Sequence, residues 1–257
     1  MKKLYFIIIL IIGFGVLSCS SDDDVIISES PKLFKKVERY QNGLFFEKTI
    51  NYDSENKIET IVINKHLGAA APYTNVITVK YSKNSVSSIT EVFNYEEPNH
   101  IFDDITYNVS FDSNLITLTS DETVIEITHS NGYADSLFKY YIDNPSVFRK
   151  SFLTRDSNQN LISVVFSNGN VVNTYSDFDS GKKPDPDGIV LDVMHRDYLK
   201  ILGLKLTANN PRISSQSILG STGINHKYTY EYDDEGYITK TYDQNMIFYT
   251  DTFYIED

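Results

Sequence analysis

The chain has 257 residues, a formal net charge of −12, 13% aromatic residues, no tryptophan and one cysteine. Phosphate backbones are held by clustered cations, which so acidic a chain lacks, and this excludes nucleic acid as a partner. A single cysteine likewise excludes the intramolecular disulfide framework of many small exported domains.

At the N-terminus Lys2 and Lys3 precede an apolar run from Leu4 to Val16, the charged and hydrophobic regions of a secretory leader. The run is shorter than the roughly 20 residues that a spanning helix needs. It ends in Val16, Leu17, Ser18 and Cys19, a window that resembles a bacterial lipobox. That resemblance implies cleavage before Cys19 and a diacylglycerol on its thiol, which accounts for a lone cysteine at this place. Next, Ser21, Asp22, Asp23 and Asp24 are similar to the acidic export tag of Bacteroidota lipoproteins displayed on the outer face of the outer membrane. A run of like charge is also a solvated tether, and the two readings are compatible. Loss of the leader moves the formal net charge from −12 to −14, so the membrane is reached through acyl chains rather than by attraction to anionic lipid. The expected layout is a signal peptide over 1–18, a lipidated tether over 19–31 and one β domain over 32–257.

Strands follow in quick succession. Leu33 to Tyr40 and Leu44 to Tyr52 flank Asn42 and Gly43, a strong short hairpin signal. Ile58 to Asn64, Val76 to Tyr81 and Val86 to Tyr95 come next, with small-residue or proline-bearing breaks around Pro72 and Pro98. Ile105 to Phe111, Leu115 to Ser120, Val124 to His129 and Leu137 to Ile142 alternate in the strand manner, with Asn131 and Gly132 closing a turn. After a second break at DNPSVFRK, Ser151 to Thr154 and Leu161 to Phe166 resume pairing before an Asn168–Gly169 turn.

One hairpin recurs. In YTYEYDDEGYITKTY, Tyr228, Tyr230 and Tyr232 share a strand face, Asp233 caps a turn, and Gly236 takes a positive φ. Tyr52, Asp53, Asn56 and Ile58 align with Tyr232, Asp233, Gly236 and Ile238, and Asp156, Gln159 and Leu161 make a third copy with Arg155 in the tyrosine position. Shorter variants begin at Tyr81 and Phe111. Any antiparallel sheet yields such strings, because strands favour Tyr, Ile, Thr and Val and turns favour Asp, Asn and Gly; three matching registers favour one repeated hairpin. The pattern resembles the YD-type repeats of Bacteroidota surface lipoproteins of unknown function, as does SDFDSGKKPDPDG followed by Asn209, Asn210 and Pro211. This resemblance covers most of the chain after residue 30 and implies fold and location, not chemistry.

Only PDPDGIVLDVMHRDYLKILG departs from strand patterning. Val190, Leu191, Met194, Tyr198, Ile201 and Leu202 form a helical stripe, opposite Asp192, Arg196 and Lys200. Asp187 reads as an N-cap and Gly203 as a stop, placing a helix near 188–202 against one face or one end of the sheet. The expected fold class is mainly β: a long antiparallel meander, as a curved open sheet or partial barrel, with this helix packed on it.

No motif carries chemistry. The cluster Asp177, Asp179, Asp185 and Asp187 invites calcium, but an EF-hand register puts Lys183 and Met194 where carboxylates are required. The five histidines show no i, i+4 pair for zinc, and GSTG at Gly220 to Gly223 lacks the strand-to-helix elbow of a nucleophilic serine. No cofactor or metal is called for. The reading is a lipid-anchored cell-surface protein that binds a glycan or another envelope protein without catalysis; the alternative is a surface hydrolase whose carboxylate pair is visible only in three dimensions. Labelled palmitate is expected to enter the wild-type chain and not the Cys19→Ala variant; equal labelling of both would overturn the anchor.

Overall fold

The computed structural model describes residues 33–40, 45–66, 73–95, 104–166, 171–179, 195–218, 221, 223, 225–244 and 248–255. Cys19, Ser21, Asp22, Asp23 and Asp24, the turns at Asn42–Gly43 and Asn168–Gly169, and Asp185 and Asp187 lie outside the described residues. The chain divides into Met1–Pro31 and Lys32–Asp257, and the following concerns the second unit.

Its strands are β1 (Leu33–Tyr40), β2 (Phe45–Tyr52), β3 (Ile58–His66), β4 (Tyr73–Ser82), β5 (Ser85–Tyr95), β6 (Ile105–Asp112), β7 (Leu115–Thr119) and β8 (Thr123–Ser130). There follow β9 (Tyr133–Tyr141), β10 (Phe148–Arg155), β11 (Leu161–Phe166), β12 (Val171–Phe178), helix α1 (Arg196–Ile201), β13 (Pro211–Ile218), β14 (Asn225–Tyr232), β15 (Ile238–Asp243) and β16 (Phe248–Ile255). Fourteen strands, β2 to β15, form one antiparallel meander in sequence order, as expected for a mainly β chain. β1 then pairs with β2 on one side and with β16 on the other, which joins the two ends into a closed ring. Closure removes both sheet edges, the feature an open meander has to protect by other means.

The pleat sorts side chains cleanly. Inward, Ile50 faces Ile61, Ile61 faces Ile77, and further round Leu118 faces Ile125 and Ile127 faces Leu137, all buried. Each such side chain is worth about 1.5–3 kcal/mol when fully buried. Outward, Asn51, Thr60, Thr78, Thr90 and Thr106 form one row across β2 to β6. Asn51 Nδ2 donates to Thr60 Oγ1 at 2.7 Å, and the Thr90 and Thr106 hydroxyls meet at 3.0 Å. A barrel that spans a bilayer is apolar outside and polar inside; these strands have the reverse polarity.

A ring of sixteen strands has room for an aqueous lumen. Here the long β12–β13 connection takes that room. Tyr198, Leu199 and Ile201 of α1 are buried in the core, with Leu202, Leu204 and Leu206 packed beside them. Gly203, at φ 71°, donates its N–H to the Lys200 carbonyl and ends the helix, the role expected of it. The helix expected over 188–202 is described only from Arg196, and it begins after His195 with no side-chain cap, while Asp187 lies outside the described residues. Leu199, off the expected stripe, is buried as well, because the helix is enclosed on more than one side.

The same segment then laces the rim. Lys205 N–H donates to the Gly132 carbonyl, Ala134 N–H to that of Lys205, and Ala208 N–H to that of Gln159. Asn131 and Gly132, both at positive φ, close the β8–β9 turn as their sequence requires. The three turns that align in sequence share one geometry. Asp53 Oδ1 accepts the N–H groups of Glu55 and Lys57 at 2.8 and 2.9 Å, Asp156 those of Asn158 and Asn160 at 2.8 and 2.9 Å, and Asp233 those of Glu235 and Tyr237 at 3.0 and 2.8 Å. The left-handed position is filled by Asn56, Gln159 and Gly236, with φ of 61°, 64° and 86°. Each turn follows a register shift in its hairpin. Glutamine suits this conformation least, so Gln159→Gly is expected to stabilise the chain by about 0.5–1 kcal/mol, and Asp156→Ala to cost about 1–2 kcal/mol, in urea unfolding of the full chain.

Candidate functional site

β13 and β14 pair at only three positions, Ile213 with Lys227, Ser214 with His226 and Ser215 with Asn225. Toward the rim the ladder stops. Pro211 has no N–H to contribute, and on the other side of β13 Asp177 adopts a left-handed φ of 53° opposite Arg212. The strands part and leave a slot of about 430 Å³ in the barrel wall.

Tyrosines make its walls. Tyr228, Tyr230 and Tyr232 line the slot, and each hydroxyl is tied: Tyr228 to Ser214 Oγ at 2.9 Å, Tyr230 to the Pro211 carbonyl, and Tyr232 to the Asp179 carboxylate. The bonds fix the rings, and Tyr230 and Tyr232 stand 6.1 Å apart at 48°. Behind Tyr228, His226 stacks at 6.2 Å and its Nδ1 meets Oδ2 of buried Asp243 at 2.6 Å. Arg212 and Lys227 contribute cations to the lining, Asp177 a carboxylate, and Thr229 and Gln244 polar side chains. Among the described residues neither Arg212 nor Lys227 forms an ion pair.

Ser214, His226 and Asp243 have the composition of a hydrolase triad. Its geometry is missing: the Ser214 hydroxyl is shared with Tyr228, and among the described residues no hydrogen bond links it to His226. Among the described residues the slot lining holds one carboxylate, Asp177, where glycoside hydrolysis requires two. Ser221 of the GSTG loop donates its hydroxyl to the Ile218 carbonyl at 2.6 Å.

Of the acidic cluster, Asp179 is buried and accepts the Asn210 N–H at 2.8 Å and Asn210 Nδ2 at 3.1 Å. Asn209 Nδ2 reaches Asn160 Oδ1 at 2.8 Å, and the Thr207 hydroxyl takes the Leu161 N–H at 3.1 Å. The SDFD and NNP segments are thus a clamp that returns the long connection to the β10–β11 turn. Arg155, in the tyrosine position of that copy, serves the same end by donating to the Leu206 and Ala134 carbonyls and pairing with Asp135 at 3.2 Å.

A second polar group sits in the core and holds α1. Lys48, fully buried, pairs with Asp197 at 2.6 Å; Glu91 accepts the Tyr198 hydroxyl and Asn75 Nδ2, each at 2.6 Å. Burial, and then the Glu91 charge, raise the Tyr198 hydroxyl well above the ordinary tyrosine range. His195 stacks on Tyr198 at 4.9 Å with its Nε2 buried and unbonded, and burial, seconded by Lys139 and Arg149 and opposed by Asp197, pushes its pKa down to about 3. The unfolded chain therefore binds a proton here that the folded chain refuses. The stability this gives is complete above about pH 6.5 and is lost as pH falls toward 3. Relative to His195→Asn, which keeps the left-handed backbone, the wild type is expected to lose about 2 kcal/mol more between roughly pH 6.5 and 4.5, as read by urea unfolding.

No family model and no curated protein matches the chain. Two solved structures resemble it in outline. A porin-like protein from Bacteroides uniformis is 12% identical, with 88% of this chain and 98% of that one covered and a TM-score of 0.46. A porin-like protein from Bacteroides vulgatus is 13% identical, with 87% and 98% covered and a TM-score of 0.46.

Proposed function

We propose that this chain is an envelope lipoprotein, anchored through Cys19 and displayed by its acidic tag, that binds a saccharide in the wall slot without turning it over. The observation that carries this reading is the slot itself, a 430 Å³ recess bounded by three immobilised tyrosine rings. Aromatic faces cover the C–H faces of a sugar ring, and flanking polar side chains meet its hydroxyls. Tied hydroxyls keep the rings in place before the ligand arrives, which reduces the ordering cost of binding. Tyrosine here takes the part that the missing tryptophan would otherwise play.

A specific observation also favours a protein partner. Tyr141, Ile142, Val147 and Phe148, at the β9–β10 connection, are exposed large side chains, and Phe138 packs edge-on to Phe148 with Lys150 over its ring. An exposed apolar group of this kind is how an envelope subunit docks. The two readings separate by mutation. Tyr230→Leu is expected to weaken binding of the full chain to an immobilised envelope-polysaccharide panel by about five- to thirtyfold, as one stacking contact of about 1–2 kcal/mol implies. Phe148→Ser is expected to leave that binding unchanged. Retention of polysaccharide by both variants would remove the slot from the function.

A further inference from the structure

Building on the saccharide reading, we infer that the slot selects an acidic sugar, a pyranose ring carrying a carboxylate. In a chain with a net charge of −12, Arg212 and Lys227 both line one recess. Lys227 is the cross-strand partner of Ile213, the residue next to Arg212, so the two cations reach the slot from opposite faces of the pleat. An anionic group held in the slot lies within the lining that both cations share. Arg212 sits opposite Asp177 between the Ser176–Ile213 and Phe178–Pro211 pairs, yet no ion pair joins them among the described residues, and its guanidinium remains open to a ligand.

The rest of the lining says what carries the charge. A simple anion needs no aromatic walls, whereas the rings of Tyr230 and Tyr232 offer apolar surface and, with their hydroxyls spent on Pro211 and Asp179, no donor to an anion. Asp177, Thr229 and Gln244 are the groups left to meet sugar hydroxyls. Two cations in one lining with tyrosine faces and hydroxyl-binding groups fit a uronate unit better than a neutral sugar or a polyanion without rings.

The test titrates the full chain calorimetrically with four probes: oligogalacturonate, its methyl ester, a neutral galacto-oligosaccharide and polyglutamate. Oligogalacturonate is expected to bind roughly tenfold more tightly than its ester, with the preference falling as salt rises. Arg212→Met and Lys227→Met, which keep an apolar stem, are expected to erase that preference while the melting temperature holds. Equal affinity for acid and ester would overturn the inference and leave the saccharide reading standing. Polyglutamate binding as well as oligogalacturonate would overturn it by showing that charge alone is read. Binding of none of the three saccharides would overturn the saccharide reading itself.

Discussion

A closed ring of sixteen strands has to be filled, and most of this structure follows from how that is done. Many of the inward residues are isoleucine, leucine and valine, which a water-filled lumen would penalise. The β12–β13 connection supplies the filling: the three buried residues of α1 and the leucines after it turn an empty ring into a packed interior. Lys48 and Asp197 secure the helix with a pair that is costly to break from either side, because each would strand a charge in the core. The Asp179–Asn210 clamp then returns the chain to the rim, so filling and closure are one device.

Much of this was legible in the residues because the pleat and the turns have strict chemical demands. Alternation located β3 to β8 closely, and the Asp-x-x-Asn/Gln/Gly spacing located turns whose hydrogen bonds match one another within a few tenths of an ångström. Gln159 shows how far the position tolerates substitution: it holds the same left-handed backbone as Gly236 although its side chain disfavours it. β10 began three residues before the expected Ser151, inside a stretch that reads as a break, because Phe148 and Arg149 pair with Tyr140 and Lys139 while both stay exposed, so no apolar alternation marks them. β13, PRISSQSI, carried almost no strand signal. Its core-side neighbours are polar, with Ser214 and Gln216 opposite Tyr175 and Asn173, so no apolar alternation marks it.

That weakness is what hid the candidate site. The tyrosines of β14 stand out in the sequence, but the recess they line depends on a ladder that fails beside Pro211 and on the twist at Asp177, and both are properties of neighbouring strands. Arg212 and Lys227 are fifteen positions apart in the chain and come to one lining only through the pairing of β13 with β14. Asp179, Asn209 and Asn210 do stand out, and their chemistry proves architectural: the carboxylate is consumed by Asn210 and Tyr232.

The polarity of the wall bears on where such a barrel can work. The row of threonines across β3 to β6 gives the outside of these strands a polarity opposite to that of a bilayer-spanning barrel. Net negative charge gives no electrostatic hold on an anionic leaflet either. On the proposed reading, attachment to a membrane falls to the chain before Leu33, where the single cysteine stands. That reading leaves the barrel to hold both its slot and its aromatic patch in water, where a soluble polymer or a neighbouring protein could reach them.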